Sequence, residues 1–130
     1  MAGTIVADDI QHSTAGSVGT EYVVDGSTKM WVNLDGIGTV AVRDDLNVSS
    51  ITDNATGIYT VNFSNSMSDA NYCVTVSISY DVNDSSNAFG QINGSNNVST
   101  SSVQVKSANS SGVGFDCQLM CASVLSGGLA

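Results

Sequence analysis

From Lys29 onward the chain is written in short runs whose apolar residues recur at every second position, each closed by Asn, Asp, Ser or Gly. The cleanest is Ile58-Tyr59-Thr60-Val61-Asn62-Phe63, where Tyr59, Val61 and Phe63 alternate strictly with Ile58, Thr60 and Asn62. A period of two puts successive side chains on opposite faces of a pleated strand, so this grammar excludes a helical domain wherever it holds. Proline is absent, which leaves every sheet ladder uninterrupted. Ser, Asn and Asp compete with helix by bonding their own backbone, and their abundance agrees with many turns.

In order, the runs predict strands at residues 29–34, 39–43, 48–52, 58–63, 72–80, around Val103 and Val105, and from Phe115 to Leu125, with turns at Asp25-Gly26, Asp35-Gly36 and Asp53-Asn54. Glu21, Tyr22, Val23 and Val24 precede the first of these turns. No amphipathic helical window stands out. Seven or eight strands at this spacing predict an all-β fold, an antiparallel β-sandwich or jelly-roll-like module. Residues 81–100, rich in Asn, Ser and Gly with a weak apolar run at Ala88, Phe89 and Ile92, read as a surface loop or an irregular hairpin. Asp81, Asn83, Asp84 and Phe89 are its candidate exposed tip.

Residues 1–20 differ. Ile5, Val6 and Ile10 are the main apolar anchors, too few for a self-sufficient element, and Gly16 and Gly19 set them off from the rest. The expectation is an extended N-terminal attachment arm over residues 1–20 and a β-sandwich domain over 21–130, large enough to bury roughly two-thirds of its unfolded surface. In the strand at 29–34, Met30, Val32 and Leu34 share one face while Lys29, Trp31 and Asn33 share the other. Trp31, the sole tryptophan, therefore points away from the apolar face, as expected if a second layer from another subunit covers it. Strand edges without proline or many lysines are expected to be covered by oligomerisation, so Ile5, Val6, Ile10 and Trp31 are candidate attachment or oligomer contacts.

A net charge of −9 with only three basic residues, Lys29, Arg43 and Lys106, cannot neutralise a row of phosphates. Nucleic acid is thereby excluded as a partner, and anionic membrane surfaces are disfavoured. No apolar run approaches the roughly 20 residues that span a bilayer, and no basic-then-apolar leader opens the chain. Cys73, Cys117 and Cys121 are odd in number and lack the CxxC spacing, which argues against a disulfide framework and a zinc site and for reduced thiols in a cytoplasm.

Several patterns imitate functional motifs. Gly36-Ile37-Gly38-Thr39-Val40-Ala41 matches a dinucleotide fingerprint, but a β-branched run follows where a helix must hold the pyrophosphate. Asp81, Asn83 and Ser85 occupy the first calcium-loop positions, yet Ser86 and Ile92 stand where glycine and glutamate are needed. The pairs Asp8-Asp9 and Asp44-Asp45 are read as solvated or turn-forming. His12 is the single histidine and has no nucleophile elbow to serve. Asn47, Asn54, Asn62, Asn97 and Asn109 head sequons that composition explains. No catalytic residue, metal ligand or cofactor is implied, so the chain reads as a non-enzyme.

The runs Lys29-Met30-Trp31-Val32-Asn33-Leu34-Asp35-Gly36, Thr39-Val40-Ala41-Val42-Arg43-Asp44, Asn47-Val48-Ser49-Ser50-Ile51-Thr52-Asp53-Asn54, Gly57-Ile58-Tyr59-Thr60-Val61-Asn62-Phe63 and Asp69-Ala70-Asn71-Tyr72 together resemble a module of bacteriophage tail-fibre and related virion proteins, those of marine phages especially. The resemblance covers about residues 19–78, extends to Gly3-Thr4-Ile5-Val6-Ala7-Asp8-Asp9-Ile10, and is looser at the closing strand. Ala55 and Ile58 depart from it, standing where glycine and aspartate are common. It implies a non-enzymatic virion structural protein, a multimeric and in particular trimeric fibre, spike or appendage module at the particle surface, assembled in the host cytoplasm and attached to other virion proteins through residues 1–20. A capsid decoration protein is the alternative within that class. From another class, a glycan-binding adhesin would stack sugar rings of a host surface on Tyr80, Phe89 or Trp31.

Overall fold

A computed structural model describes residues 3–79, 88–125 and 127–130. Among these residues ten strands and one α-helix follow one another: β1 (Asp9–His12), β2 (Gly16–Gly19), α1 (Thr20–Gly26), β3 (Thr28–Asp35), β4 (Ala41–Leu46), β5 (Val48–Ala55), β6 (Ile58–Phe63), β7 (Cys73–Ile78), β8 (Ala88–Ile92), β9 (Ser102–Asn109) and β10 (Met120–Leu125). Strands β3 to β10 make an all-antiparallel sandwich of two four-stranded sheets, ordered β4-β3-β10-β7 and β5-β6-β9-β8. The all-β sandwich expected from the alternation is the fold.

The alternating residues meet between the sheets. Met30, Val32 and Leu34 of β3 and Met120, Ala122 and Val124 of β10 face Tyr59, Val61 and Phe63 of β6 and Val103 and Val105 of β9 in one buried core. Each such aliphatic or aromatic side chain taken from water contributes about 1.5–3 kcal/mol before chain entropy is charged against it. Phe63 and Tyr72 close one end edge to face, with ring centroids 5.9 Å apart. Along β7 the same rule places Val74, Val76 and Ile78 inward and Cys73, Thr75 and Ser77 outward.

A single residue, Asn47, carries the chain from β4 in one sheet to β5 in the other. Its φ of 60° lies in the left-handed region that asparagine tolerates better than most residues. Its side chain fastens the corner. Nδ2 donates to the carbonyls of Lys29 (3.1 Å) and Asn65 (3.0 Å), and Oδ1 accepts from the amide of Asn65 (2.7 Å) and its Nδ2 (3.1 Å).

Several expectations need correction. Asp44-Asp45 does not close β4 but lies inside it, and β5 runs on through Asp53-Asn54 to Ala55. The last strand starts at Met120, and residues 115–119 form a loop that lends Asp116 to the core. There Tyr59 Oη and the Gly57 amide both donate to Asp116 Oδ1, at 2.8 and 2.7 Å. Of the two readings of residues 81–100, loop or irregular hairpin, the described part is the hairpin: residues 88–92 are a strand paired with β9, followed by a 3₁₀ turn at Ser95–Asn97.

The largest departure is at the N-terminus. In place of an extended arm over residues 1–20, β1 and β2 pair as a hairpin, and α1 follows at once where no helix was expected. Among the described residues ahead of the hairpin, 3–8 carry no regular structure. Seven residues are too few to show an amphipathic period, and tertiary anchors decide the conformation instead. The Thr20 hydroxyl donates to the carbonyls of Ala7 (2.8 Å) and Asp8 (3.0 Å), and Glu21 sits favourably in the first turn of the helix. Lys29 Nζ donates to the carbonyls of Val24 and Ser27 and to Ser27 Oγ, placing a cation at the helix C-terminus. The sandwich itself begins at Thr28.

Candidate functional site

The two outer faces of the sandwich contrast. On the β5-β6-β9-β8 sheet, amides and hydroxyls satisfy one another. Asn54 Nδ2 donates to Thr60 Oγ1 (2.8 Å), Asn62 Nδ2 to Ser50 Oγ (3.1 Å) and Thr52 Oγ1 (3.2 Å), and Gln104 bridges Thr60 and Asn93. Such a face is complete in itself.

The outer face of the β4-β3-β10-β7 sheet is not. Registers across its four strands set Leu46, Trp31, Ser123 and Thr75 in one row and Asp44, Asn33, Cys121 and Ser77 in the next. Trp31, Asn33, Thr75, Ser77, Cys121 and Ser123 line a shallow groove of about 290 Å³. Thr75 Oγ1 and Ser123 Oγ share a hydrogen bond of 2.7 Å across its floor. Asn33 Oδ1 is buried there and, among the described residues, is the buried side-chain oxygen or nitrogen that lacks a hydrogen-bond partner. An unpaired acceptor costs about 1–3 kcal/mol, so its presence calls for a reason.

A second feature is the apolar surface of the N-terminal unit. Ile5 and Val6 are each 93% exposed and Tyr22 is 70% exposed, with Ile10, Val18, Val23 and Val24 also open. Ile5, Val6, Ala7, Ile10, Thr20 and Val24 surround a depression of about 410 Å³. None of the seven helix residues is buried against the chain.

Of the residues singled out in the sequence, Ile5, Val6 and Ile10 come together at that depression and Trp31 stands apart in the groove. Phe89, expected at a loop tip, lies on β8 with its side chain partly exposed. Tyr80, Asp81, Asn83 and Asp84 lie outside the described residues. The glycine pattern at residues 36–41 is the β3–β4 hairpin turn, with Gly38 at a φ of 72° and a strand after it, so nothing there can hold a pyrophosphate. His12 Nδ1 accepts from the amide of Ala15 at 3.1 Å, closing the β1–β2 turn. Asp35 accepts from the Ile37 amide and from Arg43, which hold its carboxyl below the usual range. Burial pushes the Cys117 thiol up, as suits an inert core residue. Among the described residues, no three His, Cys, Asp or Glu side chains gather as a metal site would need, and no helix is long and apolar enough to cross a membrane.

Asn33, Thr75, Ser77, Cys121 and Ser123 were not marked by any motif. The outward parity of Trp31 and Asn33 was readable, but their neighbours come from strands more than forty and eighty residues away. No family model matches the chain, and neither a curated protein nor a solved structure matches it significantly.

Proposed function

We propose that this chain is a non-enzymatic phage virion structural protein, a multimeric β-module of a fibre, spike or appendage that seats on its neighbours through the N-terminal unit. The observation that carries the reading is the exposed apolar surface of residues 5–24, where Ile5, Val6, Ile10, Tyr22 and Val24 face outward. Apolar side chains on a small unit that buries nothing of its own helix mark an assembly surface. The resemblance of residues 19–78 to tail-fibre modules supports the class and a trimer.

The exposed edges fit the same role. Every residue of β4 is open to solvent, and the bulge opposite Asn33 and Leu34, with Arg43, Asp44 and Asp45, blunts this edge against uncontrolled strand addition. Association then falls to the N-terminal surface.

The mass in solution tests this reading. The protein is expected to sediment at three times its 13.3 kDa chain mass, and Val6→Asp together with Tyr22→Asp is expected to yield folded monomers whose thermal midpoint no longer depends on protein concentration. A stable wild-type monomer refutes the multimer, and labelling confined to the head of an intact particle would make the chain a capsid decoration protein instead.

A further inference from the structure

We propose that the groove on the outer face of the β4-β3-β10-β7 sheet binds a neutral saccharide, one sugar ring lying on Trp31 with its hydroxyls engaging Asn33 and the Ser123–Thr75 pair.

Three observations converge. The groove has one aromatic side chain set among hydroxyls and an amide. That mixture suits a pyranose, which offers a C–H face to an aromatic ring and hydroxyls at its rim that donate and accept. Its volume of about 290 Å³ lies just below the roughly 300 Å³ at which ligand pockets begin, a size for a single ring and not for a long peptide. Last, the Asn33 oxygen lacks a donor, whereas on the opposite outer face Gln104 Oε1 accepts from Asn93 Nδ2. A small rotation of the Asn33 amide brings that oxygen to a ligand hydroxyl, which supplies the missing hydrogen bond.

Charge selects among sugars. None of the groove-lining residues is ionic, Asp44 borders Asn33 in the same row, and the chain carries −9. A uronic or sialic acid would bring a carboxylate into this field without a cation to meet it, so neutral hexoses and N-acetylhexosamines are the class that fits. A second copy of the chain is the competing occupant. The unpaired acceptor favours the sugar, because a protein face would have to supply a matching donor at one fixed point.

Trp31 is the only tryptophan, so its emission reports this groove directly. The full-length protein is titrated with glucose, galactose, mannose, N-acetylglucosamine, N-acetylgalactosamine and their short oligomers, with N-acetylneuraminic acid as the anionic comparison. The expected result is a saturable shift with at least one neutral sugar, in the millimolar range for a monosaccharide, and none with the acid. Asn33→Ala is expected to weaken it about tenfold, the loss of one hydrogen bond. Ser77→Leu, on an exposed position, fills the groove and is expected to abolish it, while Trp31→Phe, followed by saturation-transfer NMR, retains weaker binding. Emission unmoved by every sugar overturns the proposal, and so does emission that follows protein concentration, which assigns the groove to a second copy. Neither outcome bears on the N-terminal surface, whose test is the mass of the Val6→Asp, Tyr22→Asp variant.

Discussion

Replacing Asn47 with alanine should unfasten the corner at which β4 becomes β5. Two effects add. Alanine at a φ of 60° pays the left-handed penalty, about 1 kcal/mol or somewhat more. The four hydrogen bonds of the Asn47 side chain, to Lys29 and Asn65, are lost as well. Each is worth about 0.5–1.5 kcal/mol when fully shielded. Asn47 is half-buried and Asn65 exposed, so water replaces part of them, and we take the equivalent of two bonds as lost. The total is about 2–4 kcal/mol, a large share of a domain's stability. Glycine separates the two effects. Asn47→Gly loses the same bonds but adopts the backbone angle freely, at an entropic cost of about 0.5–1 kcal/mol, so it should be no more destabilised than alanine. Urea unfolding followed by Trp31 emission gives both midpoints, with an unchanged m-value showing that the native state stays equally compact. An alanine variant within about 0.5 kcal/mol of the parent, or a glycine variant clearly worse than alanine, would refute the account of the corner.

Two further perturbations probe the core. Gly57 has a φ of 70°, and a Cβ there would lie 2.5 Å from the Phe115 carbonyl and 2.8 Å from that of Ser107, so Gly57→Ala should cost more than about 3 kcal/mol, seen as a collapse in the thermal midpoint; a near-neutral variant would mean that the 57–115 approach is looser than described. Alkaline pH should unfold the protein ahead of its backbone chemistry. Burial pushes the Tyr72 hydroxyl from 10.0 up to about 12, and burial with the Asp116 carboxylate pushes Tyr59 up as well. Between pH 10 and about 12 the unfolded chain has shed protons that the folded chain keeps. Stability therefore falls as pH rises through that window, by up to about 1.4 kcal/mol per pH unit for each tyrosine. Urea midpoints measured across the window check this, and a flat profile, or one that Tyr72→Phe leaves unaltered, contradicts it.

The site was less legible than the fold, and Trp31 shows why. Its outward parity followed from the strand pattern, because a pleat assigns faces by counting. That its row also holds Ser123 and Thr75 depended on β10 and β7 lying beside β3, a pairing no local pattern records. Asp116 was hidden for the same reason, since it sits in a loop and acts on Tyr59, fifty-seven residues earlier. α1 escaped notice because its start and stop are set by Thr20 and Lys29 contacts respectively and not by a side-chain N-cap.

By itself the sequence determined the class of fold and the inside of each strand. Met30, Val32 and Leu34, or Tyr59, Val61 and Phe63, can be buried together only as one face of a pleated sheet. The tertiary structure alone decided which strands are neighbours, where the chain turns from one sheet to the other at Asn47, and that Asn33 is left with an unpaired oxygen beside Trp31. Alternation is a local property that each run carries within itself. Strand order is a long-range choice, decided by how well complementary faces pack against the entropy of closing the loops between them.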